Sequence, residues 1–166
     1  MAYRGVFGAF PYAARESDSW LFRSYALVSV VVGGGLALLF AFGLVVLVAQ
    51  TAAITGGSLT LSRAFYVVVG LFIVAPVIAP TLLVARRHRR QGSTRRYDAA
   101  LALAGYLLVA SLYVALVITI PTGQQEAPTG AFAPAVATLY ALPSVAAAVP
   151  PLVSIGTIWA AHRLAR

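Results

Sequence analysis

Cysteine is absent from this 166-residue chain, which excludes disulfides, thiolate metal sites and cysteine nucleophiles. Lysine is absent too. All twelve basic residues are arginine, so Schiff-base chemistry and a P-loop lysine are also excluded. Acid is scarce: only Glu16, Asp18, Asp98 and Glu126 oppose the arginines, and the formal net charge is +8. Four scattered carboxylates make a poor case for the paired acids of glycoside or protease chemistry. Histidine is limited to His88 and His162, each beside an arginine. Adjacent positive charge discourages a metal cation, and two imidazoles without nearby carboxylates would under-ligand one. No cofactor and no metal is therefore expected. The use of arginine alone, with much Ala, Val and Gly, fits a GC-rich genome.

What the chain does have is apolar length. Hydrophobic residues make up 61% of it and the mean hydropathy is +0.90, far above soluble domains, where about half the residues are apolar. Four stretches, 24–49, 64–85, 99–120 and 133–161, contain no charged residue. Crossing a hydrocarbon core of about 30 Å takes ~20 apolar helical residues, and each stretch is long enough. The sequence predicts an all-α fold: a bundle of four transmembrane helices forming a single integral membrane domain over 1–166, with no room for a soluble domain. The apolar run at 24–49 is too long for a signal peptide and reads as a retained span. No span carries an ionisable group at membrane depth, where transporters, pumps and membrane enzymes show themselves.

Arginine placement sets the expected orientation. Arg4, Arg15 and Arg23 precede span one. Arg86, Arg87, Arg89, Arg90, Arg95 and Arg96 lie between spans two and three, and Arg163 and Arg166 follow span four; Arg63 alone falls on the other side. Short arginine-rich loops stay cytoplasmic, so both termini and the central loop are expected inside, with loops 50–62 and 121–132 outside.

The first 23 residues alternate rings and charge: Tyr3, Arg4, Phe7, Phe10, Tyr12, Arg15, Trp20, Phe22, Arg23. Such a mixture favours the headgroup layer and predicts an interfacial segment, broken near Pro11, with a new turn starting at Ser17 or Asp18. It could also serve as a docking arm. In span one, Ser29, Gly33, Ala37 and Ala41 recur every four residues, a small-residue face suited to close helix packing, expected against span three or four or a second copy. Pro76 and Pro80 in span two, and Pro143, Pro150 and Pro151 in span four, are expected to kink those helices. The carbonyls freed at Phe72 and Ala146 should then meet a hydroxyl or a water. Span four is too long for an upright crossing, which tilt or a break at Pro150–Pro151 would resolve. A shift of the chain by 74 positions brings Tyr66 onto Tyr140, Pro76 onto Pro150, His88 onto His162 and Arg89 onto Arg163, a weak sign of a duplicated helical hairpin.

Asp98 precedes span three, where a carboxylate suits a helix N-terminus. Asp18 is placed to pair with the central arginine loop. That loop is the densest feature of the sequence. Its six arginines enforce topology and offer an anionic-lipid or partner contact, whereas nucleic acid is not expected on a segment pinned to the bilayer at both ends. The hydroxyls of Thr81, Tyr106, Ser111, Ser144 and Ser154 are too scattered to converge on a watered path. They should turn to backbone carbonyls one turn back, over a dry core.

The opening AYRGVFGAFPYA and the SDSWLFRSY before span one, together with the lysine-free composition, resemble a group of uncharacterised small four-pass membrane proteins of halophilic archaea. The resemblance rests on residues 1–25 and implies no activity. The reading is a non-enzymatic protein of the cell membrane, a structural or accessory subunit of a membrane assembly. Its partners would be the bilayer, anionic headgroups and either further copies or a larger complex. The competing class is a small oligomeric permease or channel for a solute or ion.

Overall fold

The computed structural model describes residues 5–52 and 57–165. Tyr3, Arg4, Arg166 and part of the first connecting loop lie outside the described residues. Six α-helices follow one another: α1 Gly5–Glu16, α2 Trp20–Thr51, α3 Gly57–Gln91, α4 Arg95–Ile118, α5 Ala133–Tyr140 and α6 Val149–Leu164, with short 3₁₀ turns at Thr122–Gln124 and Ser144–Ala148. The all-helical class is as expected, with no strand among the described residues. Four segments are long and apolar enough to span a membrane: Trp20–Thr51, Leu59–Gln91, Arg95–Ile118 and Ser144–Leu164.

The N-terminal segment departs from expectation. Pro11 does not break it; α1 runs continuously from Gly5 to Glu16. The carbonyl that Pro11 leaves unbonded belongs to Phe7, which is 93% exposed, so solvent or headgroups can satisfy it. The opposite side of α1 is made of Ala9 and Ala13, both fully buried, because methyl side chains let it lie close against α2 and α3. The second helix starts later than expected. Ser19 is its N-cap and accepts from the Phe22 amide at 3.3 Å.

α2 and α3 pair along most of their length. The small-residue face of span one is only half right. Ser29 and Gly33 are buried, against α3 rather than span three or four; a Cβ on Gly33 would lie 2.9 Å from Ile78 Cγ2. Ala37 and Ala41 are exposed. A four-residue step turns a helix about 40° past one revolution, so by Ala41 the face has rotated away by about 120°. The observed seam steps by four and three, through Ser29, Gly33, Leu36, Phe40 and Gly43, and there Phe40 meets Tyr66 at 5.4 Å between ring centres.

Both helices also outrun their apolar stretches. α3 extends from Gly57 to Gln91, and Arg63 lies in its second turn. The Arg63 guanidinium donates to the Thr51 carbonyl at 2.9 Å and to its hydroxyl at 2.7 Å, closing the last turn of α2. α3 continues unbroken through Pro76 and Pro80. The hydroxyl that reaches this region is Tyr25's, donating to the Val77 carbonyl at 2.6 Å, rather than one at the Phe72 carbonyl.

α4 is the central helix, packed on α2, α3 and α6. Ala102, Ala104 and Gly105 let neighbours approach it, and the Tyr25 ring occupies the space a Gly105 side chain would need. The fourth apolar stretch is not one kinked helix. α5 ends at Tyr140, Pro143 opens the 3₁₀ turn, and α6 begins at Val149. Pro143 makes the break because it disfavours helical geometry at Leu142. Pro150 and Pro151 then fall in the first turn of α6, where the missing amide costs nothing. The Ala146 carbonyl accepts from the Val149 amide, since the turn tightens to 3₁₀.

Candidate functional site at the arginine-rich end

The end of α1, the start of α2, the end of α3, the start of α4 and the end of α6 converge at one end of the bundle. The six-arginine loop expected there is largely helix. Arg86, Arg87, Arg89 and Arg90 ride on the last turns of α3, and Arg95 and Arg96 on the first turn of α4. Cations suit a helix C-terminus. Gly92, at a φ of 76°, turns the chain out of α3, and Thr94 caps α4, accepting from the Tyr97 amide at 3.3 Å.

Behind the arginines lies Asp98, 1% exposed. One of its oxygens accepts from Ser17 Oγ at 2.6 Å and lies 2.9 Å from His88 Nε2; the other accepts from Ser93 Oγ at 2.6 Å. Three partners from three chain segments offset the cost of burying this carboxylate. Ser17 also accepts from the Ser19 amide at 3.2 Å, and its carbonyl accepts from Arg23 Nε at 2.8 Å, so the α1–α2 hinge is tied to the α3–α4 turn. Asp98 stands in the first turn of α4 as expected, but its oxygens serve these tertiary contacts. Ser17, not Asp18, joins the N-terminal segment to the turn.

Next to Asp98, the buried Tyr97 hydroxyl lies 2.7 Å from His162 Nδ1. The Arg87 guanidinium stacks over the Tyr97 ring, 4.1 Å from its centre. Arg87 Nε and Nη1 are buried without a hydrogen-bond partner among the described residues. Arg86, Arg87 and Arg90, with Leu83, Gln91 and His162, line a recess of about 360 Å³ between the ends of α3 and α6. Arg95 and Arg96 are exposed outside it. The proposed arginine set is thus divided by the fold, and His88 and His162, which the sequence shows only as lying beside arginines, each join a buried group. The 74-residue shift has a partial counterpart. Its two histidines meet the neighbouring residues Tyr97 and Asp98, but Pro76 lies inside a helix while Pro150 starts one.

Between the halves of α2, α3, α4 and α6 remote from the arginine-rich end lies an apolar recess of about 650 Å³, bordered by Leu36, Phe40, Ile73, Leu112, Leu152 and others. The expected closed core is therefore open on this side, yet none of the five hydroxyl residues lines the recess. Ser111 donates to the Leu108 carbonyl at 2.7 Å and Ser154 to the Pro150 carbonyl at 2.9 Å, as expected. Two others cross between helices: Thr81 meets Ser29 at 3.0 Å, and Tyr106 donates to Ser24 at 2.8 Å.

The Ser17–Asp98–His88 order differs from a nucleophile relay. There the imidazole stands between hydroxyl and carboxylate, whereas here the carboxylate stands between the other two. Its geometry suits holding chain segments together. No curated protein and no solved structure matches this chain. A family described as a domain of unknown function, DUF8056, matches residues 1–166, and the chain belongs to that family.

Proposed function

We propose that this protein is a non-enzymatic integral membrane protein and an accessory or structural subunit of a membrane assembly. It lies in the cell membrane with both termini cytoplasmic. The observation that carries the reading is the outward side of α2. Gly34, Ala37 and Ala41 share one exposed face, a Cβ on Gly34 would meet nothing within 4 Å, and bulky Val30, Leu38 and Phe42 flank it. Small residues at this spacing let another helix approach closely in lipid. The hydroxyls at mid-depth are engaged within the bundle, which supports an accessory role over a permease. The N-terminal motif and lysine-free composition support a place among the small four-pass proteins of halophilic archaea.

Purification in mild detergent with mass determination tests the reading. The expected particle is heavier than one chain and its detergent, and Gly34→Leu should reduce it to one chain. A wild-type particle holding a single chain would sink the proposal.

A further inference from the structure

α3 and α6 both pack on α4 but scarcely touch each other. The gap between them is lined differently along its length. Phe72, Ala75 and Ala79 from α3 face Leu152, Ile155 and Ile158 from α6 across an apolar cleft of about 580 Å³. At its outer end this cleft merges with the larger apolar recess, sharing Phe72, Leu152 and Ile155 with it. At the arginine-rich end the same two helices form the cationic recess of Arg86, Arg87, Arg90 and His162. Each helix presents one continuous stripe to the gap. On α3 it runs through residues 72, 75, 79, 83, 86 and 90; on α6 it runs through 152, 155, 158 and 162, at the three- and four-residue steps of a single helix face.

We infer that this cleft is a binding site for one anionic phospholipid, its phosphate among Arg86, Arg87 and Arg90 and its acyl chains along the α3–α6 gap. Three observations converge on that occupant. Among the described residues the cationic recess has no carboxylate in its lining, so its charge is unmatched by those walls. Arg87 Nε and Nη1 have no acceptor among the described residues, and phosphate oxygens are the acceptors a guanidinium fork suits best. The distance from the arginines to Phe72 is about 21 Å along α3, enough for a headgroup and the hydrocarbon of one leaflet, which is about 15 Å deep. A soluble phosphate would use only the recess and leave the apolar cleft unfilled.

The inference rests on the reading that the helices span a bilayer. Recovery of the protein only with detergent checks that reading separately; recovery without it would overturn the membrane reading and the lipid site together. For the site itself, the purified protein is titrated with long-chain phosphatidylglycerol, phosphatidylcholine, glycerol phosphate and inorganic phosphate, with bound lipid read by native mass spectrometry. Phosphatidylglycerol should be retained above phosphatidylcholine, and neither chain-free phosphate should compete. Arg87→Gln with Arg90→Gln should weaken retention about thirtyfold, equivalent to about 2 kcal/mol at about 1.4 kcal/mol per factor of ten. Arg95→Gln with Arg96→Gln removes the same charge outside the cleft and should leave retention within about twofold of wild type. Ala75→Trp, at an exposed cleft position, should block the acyl chains while keeping every arginine. Equal loss in the two arginine pairs would overturn the inference in favour of diffuse attraction. Equal retention of the two phospholipids, or competition by free phosphate, would overturn it as well, and these wild-type measurements decide the matter even if a variant fails to fold.

Discussion

Glycine has opposite meanings at different points of this bundle. At Gly105 a methyl group would collide with the Tyr25 ring, which is fully buried and anchored to the Val77 carbonyl, so the ring cannot step aside without losing that bond. Gly105→Ala should therefore destabilise the protein by about 1–3 kcal/mol, the range for overpacking. Gly156, by contrast, faces open space on α6, and Gly156→Ala should stabilise by about 0.5–1 kcal/mol through helix propensity. Unfolding in detergent, followed by circular dichroism, separates the two; similar effects would refute the packing described. Asp98 offers a second residue-scale test. Asp98→Ala strands Ser17, Ser93 and His88, and each donor left without a partner costs about 1–3 kcal/mol. A loss of about 3 kcal/mol or more is expected, with a smaller loss for Asp98→Asn, which keeps an acceptor oxygen. Nothing in the sequence announced this cluster. Ser17 and Asp98 are far apart in the chain, and a hydroxyl and a helix-starting carboxylate each have an ordinary local explanation.

At the scale of elements, what was legible was what periodicity and length encode. Three charge-free stretches became single helices of spanning length and the fourth reaches that length as a 3₁₀ turn running into α6, because a long apolar run leaves the backbone only its own hydrogen bonds. Element ends were less legible. Arg63 closes α2 by side-chain contacts that hydropathy does not weigh, and α3 runs on through the four arginines of its last turns, where cations suit a helix C-terminus. The small-residue face of α2 drifted because a strict four-residue repeat does not follow a helix seam for more than two turns. The proline reading failed at span four for a related reason. A proline deep in an apolar run looks like a kink, yet once Pro143 ends α5, Pro150 becomes a helix starter. Pro150→Ala should accordingly change the unfolding free energy by less than about 0.5 kcal/mol, whereas an interior helix proline is worth about 3 kcal/mol in propensity. A large gain in stability for Pro150→Ala would show that α6 and the segment before it are one strained helix after all.

For the whole molecule, one end is polar, charged and stitched together, and the other is apolar and loosely closed. Arg15, Arg23, the four arginines in the last turns of α3, the two in the first turn of α4, and Arg163 all lie at the end where α1 folds over the bundle. Arg63 stands alone at the opposite end, occupied by the last turn of α2. This asymmetry should govern insertion if the helices span a bilayer as proposed. Arginine in short segments resists translocation, and here those segments are further tied to one another through Asp98, so they should remain together on the side of synthesis. Exposed glycines give convenient reporter sites at each end: Gly92 in the α3–α4 turn, Gly57 at the start of α3 and Gly130 in the loop before α5. A reporter at Gly92 should read cytoplasmic, and reporters at Gly57 and Gly130 should read external. Replacing Arg86, Arg87, Arg89 and Arg90 with Gln should weaken that preference, giving a mixed population with some Gly92 reporters outside, because the largest group of retained charges is gone. A uniformly external Gly92 reporter in the unaltered chain would reverse the orientation and place the arginine end, with its lipid cleft, in the opposite leaflet.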